Sequence, residues 1–299
     1  NTIKHFIMKD LNVNKHKESS SYMFIFNADT SLDTIYFDNC RFSADGCSID
    51  TDNDYNENAG RYLISYGTIN NFIMKNCNIV NTNVTYDAFR FVTCYNAVLR
   101  NVNIYTSSAE RSYNSNCFSF MYCTDNNDDY GGYVDGFYND FYNNSASGTL
   151  RNLDMKNINM IIRGNTKAQV PGLILSNVCS RAKIDNINII QGDNLTDTAS
   201  NIVAYNGIIN LRWIYDYDIK NISINVSLFK RVAHWPLVMF AVTEPDEIVS
   251  TSQGVAQRHF IDNVNIIIGQ SSSDTNSSAE RDYFDTSSDF SRYFPLYSL

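Results

Sequence analysis

A nine-residue stretch, FIMKNCNIV at residues 72–80, holds the motif that most constrains this chain. The motif is apolar, any, Asn, apolar, any, apolar. It occurs as Phe37–Phe42, Met74–Ile79, Leu99–Ile104, Leu150–Met155, Met155–Met160, Ile184–Ile189, Ile219–Ile224 and Ile261–Ile266. Met8–Val13 is a ninth copy with Asp10 in the Asn slot. Internal repetition of this kind outweighs any local propensity as a guide to architecture. The copies beginning at 8, 37, 74, 99, 155, 184, 219 and 261 are separated by 29, 37, 25, 56, 29, 35 and 42 residues. Such irregular spacing excludes a helical array of fixed repeat length. The shortest interval is close to one turn of a β-solenoid.

Between the Asn copies lie second apolar segments. They are Tyr22–Phe26, Tyr62–Tyr66, Ala88–Val92, Cys117–Met121, Gly172–Leu175, Ile202–Tyr205 and Leu237–Val242. Period-2 alternation and enrichment in aromatic and β-branched residues mark them as strands. Each repeat therefore holds at least two strands, a turn and a loop of variable length. Stacked repeats place equivalent strands side by side in parallel. The Asn falls where the chain must turn, a position whose backbone angles Asn tolerates. Stacked Asn amides can also hydrogen-bond along the stack. Asn39, Asn76, Asn101, Asn157, Asn186, Asn221 and Asn263 are thereby assigned a structural ladder. Residues 1–269 form the repeat domain, and 270–299 a Ser/Asp/Tyr-rich segment suited to capping an open strand edge. The first repeat has no evident cap, so further chain or a partner subunit is expected before it.

Composition narrows the function. The formal net charge is −9 and the sequence pI about 4.9. Nucleic-acid binding calls for a basic patch, and no apolar run reaches the roughly 20 residues of a membrane-spanning helix. Neither nucleic acid nor membrane insertion is expected. The seven cysteines contain no CxxC pair and read as small core residues. The four histidines, His5, His16, His234 and His259, are dispersed. The alternating Asp125, Asn127 and Asp129 lack the glycine of a calcium loop, since Tyr130 stands in its place. No metal and no cofactor is expected.

The registered Asn motifs and their paired strands resemble the right-handed parallel β-helix of pectate-lyase-like proteins over about residues 3–268. The Asn- and Tyr-rich, Lys-poor composition is most similar to phage tailspike and tail-fibre proteins. The resemblance implies an all-β, right-handed parallel β-helix with irregular coil lengths and loop insertions. It also implies a homotrimer, assembled with other tail segments in a virion tail, that recognises a host-surface polysaccharide. Depolymerisation of that polymer stays open. So do a purely structural or adhesin module, and a free bacterial polysaccharide lyase or hydrolase that is secreted or held at the cell surface.

Function is expected on what interrupts the repeats. The longest interval holds Tyr130, Tyr133, Tyr138 and Tyr142 among Asp residues. Aromatic rings can stack on sugar faces, or can pack within the loop. Trp213 and Trp235 mark two further interruptions. An acid–arginine set, with Asp87, Glu110 and Asp140 as acid/base candidates and Arg90 and Arg111 as substrate clamps, offers the groups that glycan cleavage needs. Adjacent outward charges are also what any solvated sheet face carries.

Overall fold

The structure is a computed structural model. It describes residues 4–16, 22–30, 32–45, 61–84, 87–108, 116–120, 149–163, 172–176, 178–191, 208–211, 214–226, 238–240 and 259–268. The described residues form sixteen strands and no helix. In chain order these are β1 His5–Lys9, β2 Asn12–His16, β3 Phe24–Phe26, β4 Leu32–Asp38, β5 Arg41–Asp45, β6 Leu63–Lys75, β7 Asn78–Val84 and β8 Phe89–Ser108. They continue as β9 Asn116–Phe120, β10 Thr149–Arg163, β11 Gly172–Ser176, β12 Val178–Gln191, β13 Ile209–Leu211, β14 Ile214–Val226, β15 Val238–Phe240 and β16 His259–Ile268. All belong to one unclosed, parallel sheet, an arrangement compatible with a β-helix.

Pairing runs in three rows. The first joins β3, the start of β6, the start of β8, β9, β11, β13 and β15. The second joins β1, β4, and the stretches of β6, β8, β10, β12, β14 and β16 that precede each Asn. The third joins β2, β5, β7 and the stretches of β8, β10, β12, β14 and β16 that follow it. Each repeat thus contributes a layer with one segment in each row. Residues 202–205, expected as a strand, lie outside the described residues, and the first-row strand in that interval is β13.

The second row has the register that the motif implies. Met8 pairs with Phe37, Phe37 with Met74, Met74 with Leu99, and Leu99 with Met155. Ile184, Ile219 and Ile261 follow in the same column. From Phe37 to Ile219 these side chains have no exposed surface. Alternation then sends the neighbours outward, because successive strand residues face opposite sides. The core changes character along the stack. Its early layers pack Phe37, Phe42, Tyr62, Phe72, Phe89, Phe91, Phe118 and Phe120, and its later layers pack mainly Ile, Leu and Met.

The turn residue explains why Asn recurs. Asp10, Asn39, Asn76, Asn101, Asn157, Asn186, Asn221 and Asn263 all have φ between 51° and 58°. That left-handed conformation costs most L-residues about 1–2 kcal/mol, and Asn and Asp adopt it with local help. The amides also connect the layers. Nδ2 of Asn101 donates to Oδ1 of Asn76, Asn157 to Asn101, and Asn186 to Asn157, each at 2.9 Å. Asn263 donates to Asn221 at 2.8 Å, and Asn39 to Asp10 at 2.6 Å. At two steps the acceptor shifts to the residue before the turn: Asn76 donates to Asp38, and Asn221 to Asp185. Every donor reaches back to the preceding layer, so the ladder has a polarity.

Asn101→Ala is expected to lose about 1–2 kcal/mol from the backbone, together with one donated and one accepted hydrogen bond. Asn101→Gly keeps the backbone freedom and loses only those bonds. Urea unfolding should place the Gly variant between the wild type and the Ala variant.

One motif copy is corrected. Asn152, in Leu150–Met155, is absent from the left-handed positions. The turn of that layer falls at Asn157, in the overlapping copy Met155–Met160. Asn152 lies within β10 and donates to Asn96 at 2.8 Å, while Asn96 donates to Asn71 at 3.0 Å. These bonds form a second, shorter amide ladder on the second row. A third links Asn159 to Asn103 and Asn103 to Asn78 across the third row, each at 3.2 Å.

Candidate functional site

The rows differ in what their outer faces meet. In the second and third rows outward residues reach solvent. In the first row Ile64, Ser119 and Asn210 are buried although their neighbours already fill the inner core. Strand β9 is buried at all five residues. The first row therefore has both faces covered over its middle layers.

A polar cluster lies in that covered row. Arg61 stacks on the ring of Tyr22, with its guanidinium carbon 5.4 Å from the centroid. One layer on, Asp87 is 6% exposed. Its Oδ1 accepts from the backbone N–H of Asn116 at 2.8 Å and from Nδ2 of Asn116 at 3.1 Å. Arg90 and Ser119, paired in register across β8 and β9, complete the group. Burial pushes the Asp87 carboxyl above its ordinary range, against the pull of the Arg90 charge and the bonds from Asn116 and Ser119. Burial likewise pushes up the Tyr22 phenol, partly offset by Arg90.

A buried acid next to an arginine can hold a proton at neutral pH or neutralise the guanidinium. Its pH signature has a definite sign. A raised folded-state value means that the native state holds its proton longer than the unfolded chain. Stability then falls as pH rises from the ordinary carboxylate value through the raised one. Asp87→Asn removes that dependence. The stability advantage of the wild type over Asp87→Asn should shrink as pH rises through this window, as measured by urea unfolding at several pH values. A flat difference would contradict the assignment.

Of the acid–arginine set, the structure places Asp87 and Arg90 together. Glu110, Asp140 and Arg111 lie outside the described residues, as do Tyr130, Tyr133, Tyr138, Tyr142, Trp213 and Trp235. Tyr22, Arg61, Asn116 and Ser119 carried no motif in the sequence. Stacking brings Asn116 to Asp87 across 29 residues.

The open rows carry a different chemistry. One outward column of the second row runs Lys9, Asp38, Lys75, Arg100, Lys156, Asp185, Lys220 and Asp262. Lys9 and Lys75 flank the ring of Tyr36 at 5.3 and 5.9 Å. Arg100 pairs with Asp154, and Lys156 with Asp185 at 3.1 Å. Hydrogen bonds from Asn76 and Asn221 hold the Asp38 and Asp185 carboxyls below the ordinary range, with nearby lysines adding to the effect. Arg151 lies 4.0 Å above the ring of Tyr95. Beyond the turn, the third row presents Asn78, Asn103, Asn159, Asn188, Ser223 and Asn265 in one column. Next to it stand Tyr105 and Ile190, both exposed.

Cys40, Cys77, Cys94, Cys117 and Cys179 are buried free thiols. Burial pushes Cys77, Cys94, Cys117 and Cys179 up to about 12, so they act as core side chains. Among the described residues no three His, Cys, Asp or Glu side chains gather as metal ligands. Comparison of the chain with protein-family models, with curated proteins and with solved structures returns no match.

Proposed function

We propose that the three rows wind as a right-handed parallel β-helix of the tailspike kind, and that its open faces recognise a host-surface polysaccharide. The observation that carries this reading is the outward array of the second and third rows. Amide groups recur there in one straight column, and carboxylate and ammonium groups in another, one residue per layer, about 4.8 Å apart. A linear polymer of sugars offers hydroxyls and ring faces at regular intervals, and such columns can meet several units at once. Amides and carboxylates bind hydroxyls, while the exposed Tyr105 offers a ring face.

The reading stops at recognition. Asp87 is buried and its Oδ1 is bonded to Asn116, so it supports a packing role better than attack on a polymer. A second reading, a subunit contact within a homotrimer in a virion tail, is favoured by the exposed Tyr105, Ile190 and Ile267 in one third-row column. Large exposed apolar groups in line suit a protein partner.

The test incubates the purified chain with a panel of bacterial surface polysaccharides, followed by size-exclusion of the glycan. The proposal predicts co-elution of one intact polymer with the protein. Asn103→Leu with Asn159→Leu should abolish it without changing the melting temperature by more than a few degrees. Co-elution that survives the double variant would move the site elsewhere. A polymer reduced to short fragments would establish an enzyme instead.

A further inference from the structure

Three successive layers carry the same turn: Lys75-Asn76-Cys77-Asn78, Arg100-Asn101-Val102-Asn103 and Lys156-Asn157-Ile158-Asn159. In each, the second residue takes the left-handed turn and the third has no exposed surface. The first and fourth lie in the outward columns on either side of the turn. Register sets Lys75 beside Arg100, and Arg100 beside Lys156. Asn78, Asn103 and Asn159 follow in the same order. The pattern ends at the next layer, where Asp185 takes the cation position.

Three cations in register, about 4.8 Å apart, repel one another. Their acids do not cover them. In the Arg100–Asp154 pair the arginine side chain is 46% exposed and the acid 31%. In the Lys156–Asp185 pair the values are 49% and 15%. Asp38, next to Lys75 in the column, is engaged by Asn76 and the Tyr36 hydroxyl. The cations therefore stand outermost, with the acids beneath them. The described residues as a whole have the same sign. They contain fourteen Lys and Arg against eleven Asp and no Glu, although the full chain has 23 basic against 32 acidic residues. Eight of these Lys and Arg are exposed, against only Asp10, Asp29 and Asp262.

We propose that this triple turn binds a carboxylate-bearing polysaccharide, with acid groups on Lys75, Arg100 and Lys156 and hydroxyls on Asn78, Asn103 and Asn159. The proposal rests on the recognition reading above and names the class of polymer. Arg100 and Lys156 each already hold a carboxylate from the next layer. A guanidinium and an ammonium each have more N–H donors than one Asp uses, so a polymer carboxylate can join without displacing it. A neutral polymer would leave the repulsion among the three cations in place.

Affinity electrophoresis of the full chain in gels containing carboxymethyl-dextran or dextran isolates the acid group, because the two polymers share one backbone. Each variant's mobility in dextran is its own reference. The wild type is expected to be retarded by carboxymethyl-dextran and not by dextran. Lys75→Gln/Lys156→Gln should raise the apparent Kd about tenfold, and Lys75→Arg/Lys156→Arg should retain binding. Arg181→Gln/Lys183→Gln removes two exposed cations outside the triple turn and should leave retardation unchanged. Equal mobility of the wild type in both gels would overturn the proposal. So would equal weakening by the two Gln pairs, since the attraction would then be diffuse. Co-elution of a neutral surface polymer without retardation by carboxymethyl-dextran would overturn this proposal and leave the recognition reading standing. Failure of every polymer in both tests would remove both.

Discussion

Phe89→Ala is expected to lower the stability of this protein by about 3–5 kcal/mol, the range for removing a buried aromatic ring from a packed core. Phe89 has no exposed surface. Its ring centroid lies 5.1 Å from Phe42, 5.5 Å from Tyr62, 5.6 Å from Phe118, 6.1 Å from Phe37 and 6.2 Å from Phe72. These partners come from five strands or adjoining segments, so one truncation opens a void shared by several layers. Aromatic pairs also contribute about 0.5–1.5 kcal/mol beyond area alone. Phe89→Leu refills much of the void and should recover more than half of the loss. Guanidinium unfolding monitored by circular dichroism checks both. A loss below about 1 kcal/mol for the Ala variant would show that the ring is not packed as described.

Gly67→Ala is the second large effect. Gly67 sits where the register between β6 and β8 shifts, between Ser65 and Thr68. The extra residue makes a bulge, and the backbone there lies under the turn at residues 27–30. A Cβ on Gly67 would stand 2.0 Å from the carbonyl oxygen of Thr30 and 2.9 Å from that of Asn27. Both obstacles are backbone, and the Thr30 N–H already donates to that Asn27 oxygen at 2.9 Å. The turn must therefore move as a unit. Overpacking of this kind typically costs about 1–3 kcal/mol, and more where backbone must shift. The same unfolding assay should show this loss, whereas an Ala at the unobstructed position of a typical surface glycine would be neutral or stabilising.

The sequence carried the second row almost completely. Eight motif copies predict eight layers, and their first residues form one column, fully buried from Phe37 to Ile219 and partly buried at Met8 and Ile261. The reason is physical: only a few residue types tolerate the left-handed turn, so the turn leaves a mark that composition cannot blur. The copy at Leu150–Met155 misleads because its Asn serves a different ladder, one that joins strands rather than turns. A strand-borne Asn needs no unusual backbone angle, so sequence pattern alone cannot separate the two. The first row was legible as strands at Ala88–Val92 and Cys117–Met121, but its burial on both faces was not. Covered outer faces depend on what folds back over them, and no period records that. The polar cluster stayed hidden for a related reason. Asp87 and Arg90 are neighbours in sequence, whereas Tyr22, Arg61 and Asn116 join them only through the stacking of separate layers. The outward columns became visible once register was known, since every column samples the chain at intervals of 25 to 56 residues.

The central claim is that each repeat adds one layer in register, so that residues far apart in sequence stand in straight outward columns. Spin labels at Lys9 and Lys156 test it most directly by pulsed electron resonance. Four layer steps separate these positions, through Asp38, Lys75 and Arg100. At about 4.8 Å per step the backbone separation is about 19 Å. A second pair, Lys9 and Asp262, is seven steps apart and should give about 34 Å, with label linkers adding a similar increment to both. Two narrow distributions whose means differ by about 14 Å, three layer steps, would establish the stack. A Lys9–Asp262 distance equal to or shorter than the Lys9–Lys156 distance would contradict it, and with it the columns on which the proposed recognition surface depends.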